Sequence, residues 1–595
     1  MTMPDMRRGA QWVDRRPARG SGAVVAAARS HSTDAALRML EAGGNAVDAA
    51  VACGLVAGVV EPTETTLGGS GFMLVHDPAR GRDWSIEFPA RAPQGARPDM
   101  FTLAGRQEGT RLVAVSAVID DANVEGPLAC GVPATVAGLL AAHEELGRLP
   151  RTQVFGPAIE LAHNGFVVDS YHALQTLAAL PELRAHPDAA RIFLTEQGLP
   201  PVPAYHGQAS LGTGPLLRQQ DLGSTLERVA DQGRAGLYEG PVARAIGGAF
   251  ADLGGVLTEQ DLASYRPVIG APLRLRYRDW EVLAPASPCG AWTELQILAL
   301  LEHFDLGRAG TDRLHLIAQA SRRAFVDRYH WLADPDFVRV PLRTLLSESY
   351  TGALADRIGA DEMTPWTAPG GAPPWEEFAG RAVHDPWPRT GEPPSHAVAS
   401  GGGTLNLDHG TTHFSVIDAD GMTVSCTHTA ANAFGNKIVP PGTGLLFDSA
   451  MAWFNASPGA ANSIAPGKRP LANMGPLIAR RIDGEQTIAL GAPGGRRIIS
   501  AVTQVLSNVV DRGLGIQEAI SAPRIDAGGT AVLVSERVDD AEHEALSLRG
   551  YTTVTVPEEH EPFSYELARP VACAADRHQR TAAADPFTIA STAAL

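Results

Sequence analysis

Gly410-Thr411-Thr412-His413-Phe414-Ser415-Val416-Ile417, then Asp418-Ala419-Asp420-Gly421, then residues 422–429, form the stretch on which the architecture turns. β-Branched and aromatic residues dominate its two arms and a polar turn separates them, which predicts a β-hairpin. Upstream, residues 359–410 carry APGGAPP, DPWPRTGEPP and SGGG with few periodic apolar positions, the composition of a flexible linker. A loose segment running straight into a strand headed by threonine has a specific chemical use. Cleavage between Gly410 and Thr411 would leave Thr411 with a hydroxyl and a free α-amine of ordinary pKa about 8. Such an amine can take the hydroxyl proton at neutral pH, so one residue holds nucleophile and base together. The same local pattern also describes an ordinary strand that begins with a β-branched residue.

Towards the N-terminus, residues 23–28 read as a short apolar strand. Thr33 is expected to cap a helix from Asp34 to about Glu41, which Gly43-Gly44 ends. Asn45 is expected to cap a second helix, rich in alanine and valine, that stops before Glu61-Pro62. Gly68-Gly69-Ser70-Gly71 then leads into the apolar strand 72–75. Residues 133–357 are mostly helical in pattern, with three- and four-residue apolar spacing over 136–146 and 295–304 and a longer amphipathic candidate at 313–331. Beyond the hairpin come further strand–turn patterns, the glycine-rich GAPGGRRI at 491–498 and a helical run over 499–510.

The 595 residues include 49 basic and 66 acidic side chains, a formal net charge of -17. That balance argues against a nucleic-acid partner and reads as solubility. Cys53, Cys130, Cys289, Cys426 and Cys573 are odd in number and far apart, with no CxxC pair, so neither zinc nor a disulfide framework is expected. Cys426 reads as packing. The chain shows no apolar h-region near its start, and the apolar run 46–60 is interrupted by Asp48. A cytoplasmic protein without membrane partner, metal or cofactor is the expectation.

Six blocks sharpen the reading: GGNAVDAAVACGLVAGVVEPTETTLGGSGFMLVHD (43–77), TTHFSVIDADGMTVSCTHT (411–429), FGNKIVPPGTGLLFDSAMAWF (434–454), KRPLANMGP (468–476), GAPGGRRIISAVTQVLSNVVD (491–511) and EAISAPRID (518–526). In order and spacing they resemble the γ-glutamyltranspeptidase family of N-terminal-nucleophile hydrolases. The resemblance implies an α/β fold, an αββα sandwich formed jointly by two pieces of one precursor. A large subunit, 1–410, and a small subunit, 411–595, would stay associated after autocatalytic cleavage between Gly410 and Thr411, and higher oligomers are compatible with this. Thr411 falls at the nucleophile's place, and Thr429 at the threonine whose hydroxyl bonds to it. Gly494 and Gly495 match the glycine pair whose N–H groups form the oxyanion hole. The chemistry implied is an acyl-enzyme resolved by water or an amine. His413 is expected to be structural, while Arg496 and Arg497 could face the substrate or brace the loop.

The substrate-binding positions depart from the family. Pro89 stands where an arginine would hold the glutamate α-carboxylate, with Arg91 close by. Trp453 replaces the aspartate that binds the α-amine, Ala472 and Asn473 replace paired serines, and Ala431 with Asn432 beside it stands at an asparagine. Arg91, Asn432, Trp453 and Asn473 are therefore the candidate substrate-binding residues. Removing the partner of a buried charged group costs on the order of several kcal/mol, so four changes argue against glutathione. A hydrolase or acyltransferase acting on another small molecule, like the related cephalosporin acylases, is the first expectation. A carbon–carbon bond hydrolase in the biosynthesis of 4-alkyl-proline antibiotic precursors, a γ-glutamyl hydrolase or transferase, and an inactive binding protein are the alternatives.

Overall fold

The computed structural model describes residues 15–108, 115–202, 216–360, 362–363, 410–559 and 565–595. Most of the linker read at 359–410 therefore lies outside the described residues. Two seven-stranded antiparallel sheets form the centre. The first runs Ser591–Ala594, Val24–Ala27, Thr411–Ile417, Thr423–Thr429, Ser70–Asp77, Arg82–Phe88, Val268–Gly270. The second runs Ala18–Gly20, Arg580–Ala584, Val571–Ala575, Thr487–Gly491, Leu477–Arg481, Trp280–Ala284, Leu273–Tyr277.

Each sheet buries one face under helices. Phe414, Val416, Val424 and Cys426 pack with Val51, Leu55 and Leu139 in the core beneath the helices Ala46–Val60 and Thr135–Leu146. Leu477, Ala479, Ile488 and Leu490 pack with residues of Ala291–Leu301, Arg313–Trp331 and Arg497–Arg512. The two sheets then close on each other through small clusters, among them Leu74, Leu283, Ile478 and Ala489. The fold is an αββα sandwich. Both sheets draw strands from either side of residue 410, so neither half of the chain completes a sheet alone.

Period-two alternation decides which side chains meet the opposite sheet. Phe414 and Val416 point at the helices, whereas Ser415 reaches across and donates to the Ala489 carbonyl at 3.2 Å. Ser425 does the same to Leu490 O at 3.1 Å. Residues 411, 413, 415 and 417 therefore line the inter-sheet face. Short hydroxyl side chains suit that face, because they bond to the facing backbone and leave no polar group unpaired.

The helix Ala46–Val60 is buried along its whole length, and Asp48 explains itself there. With Asn45 it makes a capping box, and its carboxylate also accepts from the Arg148 and Leu149 amides at 3.0 and 3.2 Å. The helix predicted from Asp34 begins a turn earlier, at Ser30, with extended Arg29 as its N-cap. Thr33 lies inside it and bonds to Ser30 O and Ser591 Oγ, so it ties the helix to the edge strand instead of capping it. The helical reading of 133–357 also misses the hairpin Leu273–Tyr277/Trp280–Ala284. Its turn is built by Arg278 at φ 54, a left-handed position without the glycine signal that would mark it.

Candidate active site

The hairpin's register pairs Thr411 with Thr429 and brings their hydroxyl oxygens to 2.9 Å. The Thr429 hydroxyl donates to the carbonyl of Gly410 and accepts from the Ala431 amide at 2.8 Å. A hydroxyl has one proton to give, so Thr411 is the donor in its bond to Thr429. The Gly410 carbonyl also accepts from the amides of Ala430, 2.9 Å, and Ala431, 3.1 Å. Ala431 sits at φ 68, the left-handed turn that aims consecutive N–H groups at one point. The carbonyl preceding Thr411 thus rests in a cradle of three donors. A Cβ on Gly410 would lie 2.4 Å from Asn432 O, so glycine is required on the other side of the bond as well.

The strand Thr487–Gly491 faces Thr411–Ile417 across the sandwich and runs the opposite way. Ser415 meets Ala489, and Gly491 meets His413, whose ring a Cβ on Gly491 would approach to 2.3 Å. Beyond the strand, Pro493 lines one cavity with His413, Arg29 and Tyr171. Gly494 and Gly495 have φ of 138 and 59 and lead through the N-cap Arg496 into the sixteen-residue helix Arg497–Arg512. Arg497 bonds to Glu566 at 2.8 Å and Arg496 lies 3.6 Å from Asp526, so both arginines brace this turn.

His413 is fully buried between Thr427 Oγ1 at 2.7 Å and Ser415 Oγ at 3.0 Å. Both ring nitrogens are engaged, and burial, with a smaller effect of His428, pushes its pKa down to about 3. It is a neutral structural side chain.

Sequence reasoning passed over a buried acid cluster behind the nucleophile. Glu64 is 1% exposed; one carboxylate oxygen accepts from the Tyr171 phenol, and the Thr411 amide also favours its ionised form. Burial nevertheless holds Glu64 well above the usual carboxylate range. Glu61 is raised by the same cause; Arg29 offsets this, and Thr412 and Ser32 hydrogen-bond to it. The signal lay in EPTETT, two acids three residues apart directly after an apolar helix.

The four candidate substrate-binding residues are held by different partners. Trp453 ends the short 3-10 turn Ala450–Trp453, which Ser449 N–H anchors to Ala430 O at 3.0 Å, beside the cradle. Asn462 links it to the KRPLAN segment, donating to Trp453 O at 2.7 Å and accepting from Leu471 N at 3.2 Å. Asn473 Oδ1 accepts from Arg328 at 2.9 Å, which fixes its side chain. Asn432 Oδ1 accepts from the Ala433 amide, and its backbone lies against Gly410. The Arg91 guanidinium lies 5.9 Å from the Tyr265 ring centre with its Nε buried without a partner, and the next residue, Ala92, packs with Met451 and Phe454 on either side of Trp453. Among the described residues no group of three or more His, Cys, Asp or Glu side chains is arranged to hold a metal ion.

A family model described as Gamma-glutamyltranspeptidase matches residues 32–594. The glutathione hydrolase proenzyme of Escherichia coli (strain K12) is 32% identical over 525 residues, covering 85% of this chain and 81% of its own. The acylase ACY 1 proenzyme of Pseudomonas sp. (strain V22) is 33% identical over 552 residues, 91% of this chain and 89% of its own. The crystal structure of cephalosporin acylase from Bacillus halodurans superposes with a TM-score of 0.82 at 24% identity, covering 100% of this chain and 99% of that one, a likeness of fold. A sandwich of this topology with a paired-threonine junction, and a sequence match along nearly its whole length, place the chain in the gamma-glutamyltranspeptidase family of N-terminal-nucleophile hydrolases.

Proposed function

We propose that this hydrolase cuts its own chain between Gly410 and Thr411 and then uses Thr411 as an N-terminal nucleophile on a small molecule other than glutathione. One observation carries the first half: the Thr411 hydroxyl is held by Thr429, and Thr429 also polarises the Gly410 carbonyl that Thr411 must attack. Once freed, the α-amine of Thr411 takes the hydroxyl proton, the substrate carbonyl is attacked, and the N–H groups of Gly494 and Gly495 receive the oxyanion. Water or an amine resolves the acyl-enzyme. The pieces 1–410 and 411–595 stay together because each sheet contains strands of both. An SDS gel tests this: two bands, with Thr411 at the N-terminus of the smaller, are expected. A single uncut chain would overturn it and favour the inactive binding protein.

The second half rests on Pro89, Ala431, Trp453 and Ala472, which stand where a γ-glutamyl donor's charged groups would need partners. Trp453 is half-buried, four residues after the Ser449 amide that bonds to Ala430 O, and offers a flat surface that suits a ring or conjugated substrate. That surface also favours the second reading, carbon–carbon cleavage of a conjugated cyclic imino acid by attack of Thr411 on a ketone-type carbonyl. Incubation with γ-glutamyl anilides and with conjugated dienoic imino acids separates the readings; rapid turnover of the anilide would instead establish a γ-glutamyl hydrolase or transferase.

A further inference from the structure

We propose that the cavity lined by Arg29 and Arg569 is a binding site for a small monovalent anion of halide size, which ties the 1–410 part of the chain to the turn that carries Gly494. The assignment does not rest on the self-cleavage proposed above. The cavity offers about 20 Å³ to a water-sized occupant, and roughly 10–15 Å³ is enough to seat one. Arg29 and Tyr171 line it from one side of residue 410, and His413, Pro493, Tyr565 and Arg569 from the other. Of these residues the two arginines carry the charge: His413 is neutral, and no acid belongs to the lining among the described residues.

Both arginines hold donors in reserve. Arg29 is 7% exposed; its Nη1 lies 3.4 Å from the Ala28 carbonyl, and its Nε lies 3.9 Å from a carboxylate oxygen of the partly exposed Asp169. Its Nη2 is buried with no hydrogen-bond partner. Burial disfavours the Arg29 charge, but Asp169, Glu61, Tyr171 and Tyr565 outweigh it and raise the pKa, so Arg29 remains a cation. Arg569 is 1% exposed, and its Nη1 donates to Glu558 at 3.1 Å and to Asp585 at 3.3 Å. Its Nε and Nη2 are buried without a partner. That edge presents two parallel N–H donors, the fork with which a guanidinium grips an anion.

Charge decides between an anion and a water molecule. Glu558 and Asp585 are shared by Arg524, Arg537 and Arg569, three guanidiniums on two carboxylates. Arg15 adds a further cation, which bonds to the carbonyls of Asp585 and Thr588 at 3.1 and 3.0 Å. A buried charge left uncompensated is strongly unfavourable, and an anion compensates it where a neutral water cannot. The Arg569 amide also donates to Pro493 O at 3.0 Å, and a Cβ on Gly494 would lie 2.6 Å from the Ala568 Cβ. An anion that fixes Arg569 therefore steadies the Pro493–Gly494 turn as well.

The test needs no substrate. Full-length protein is freed of halide in sodium gluconate, whose anion is too large for the cavity, and chloride then replaces gluconate at constant ionic strength up to about 0.2 M. Tm should rise by about two degrees or more and level off, and bromide should act like chloride. In Arg29→Gln the chloride midpoint should move up by about tenfold or more, since one charge-assisted bond is gone. Bromide-soaked crystals of the wild type should show an anomalous peak in the cavity, a readout that stands even where the variant does not fold. A Tm indifferent to halide would mean that water fills the cavity and would overturn the proposal. So would an unshifted midpoint in folded Arg29→Gln, or the lack of a bromide peak between Arg29 and Arg569. A peak that needs molar bromide and brings no Tm response is an adventitious ion only, and overturns it too.

Discussion

The Thr429 hydroxyl donates to the carbonyl of Gly410, and in the same position accepts from Ala431 and from Thr411. One side chain therefore orients the attacking hydroxyl and polarises the bond it attacks. Thr429→Ala removes both effects at once. Loss of one oxyanion donor costs about 10²–10³-fold in rate, so self-cleavage of this variant should slow by at least that factor. Thr429→Ser should retain most of it. The half-time of band conversion on SDS gels is the measurement, and unchanged conversion in Thr429→Ala would remove Thr429 from the mechanism.

Gly491 lies against the His413 ring, and any Cβ there would come within 2.3 Å of it. Neither side can yield easily, because His413 is locked by Thr427 and Ser415. Gly491→Ala should be destabilising by about 1–3 kcal/mol or more, as in an overpacked core. A lower apparent Tm than wild type checks this; an unchanged Tm would mean that the sheets can separate locally.

His413 is neutral in the fold, with its pKa pushed down to about 3 by burial. The unfolded chain has an ordinary histidine near about 6.5, so between these values it binds a proton that the native state does not. This residue's contribution to stability is therefore intact above about pH 6.5 and falls as pH drops towards about 3. The slope of Tm against pH in that window should be shallower in His413→Gln than in wild type. Buried acids such as Asp327 and Asp448, both raised to about 7, act in the opposite direction, so the comparison between variants is the decisive one.

Trp453 and Pro89 should govern discrimination against γ-glutamyl donors. The double variant Trp453→Asp, Pro89→Arg supplies one carboxylate and one guanidinium at the departed positions. Hydrolysis of γ-glutamyl-p-nitroanilide should rise by about tenfold or more over wild type, since each restored charge-assisted bond contributes roughly 1.5–3 kcal/mol. No rise would show that the pocket is closed by more than these two side chains.

Much of this was legible in the chain itself. The hairpin 411–429, the helix capped by Asn45, and the helix Arg313–Trp331 carry strong local patterns, and their observed bounds follow those patterns closely. The helix start at Ser30 and the hairpin at Arg278 carried no such signal: Arg29 is not a capping residue type, and a left-handed arginine looks like any other arginine. The direction of the Arg91 side chain, 5.9 Å from the Tyr265 ring centre, was not legible either, because sequence distance along an extended segment does not fix side-chain direction.

Sequence alone determined the family, the place of the Gly410–Thr411 junction and the pairing of Thr411 with a threonine one hairpin arm away. These follow from local propensity and from residues fixed in order along the chain. Only the tertiary structure decided what surrounds that junction: the cradle made by Ala430, Ala431 and Thr429, the engagement of both His413 nitrogens, and the buried Glu64, whose backbone carbonyl shares the Ala430 amide with Gly410. Those depend on distances between strands and helices far apart in sequence. The upward shift of the Glu64 pKa in particular depends on how completely the fold excludes water, which residue identity does not encode.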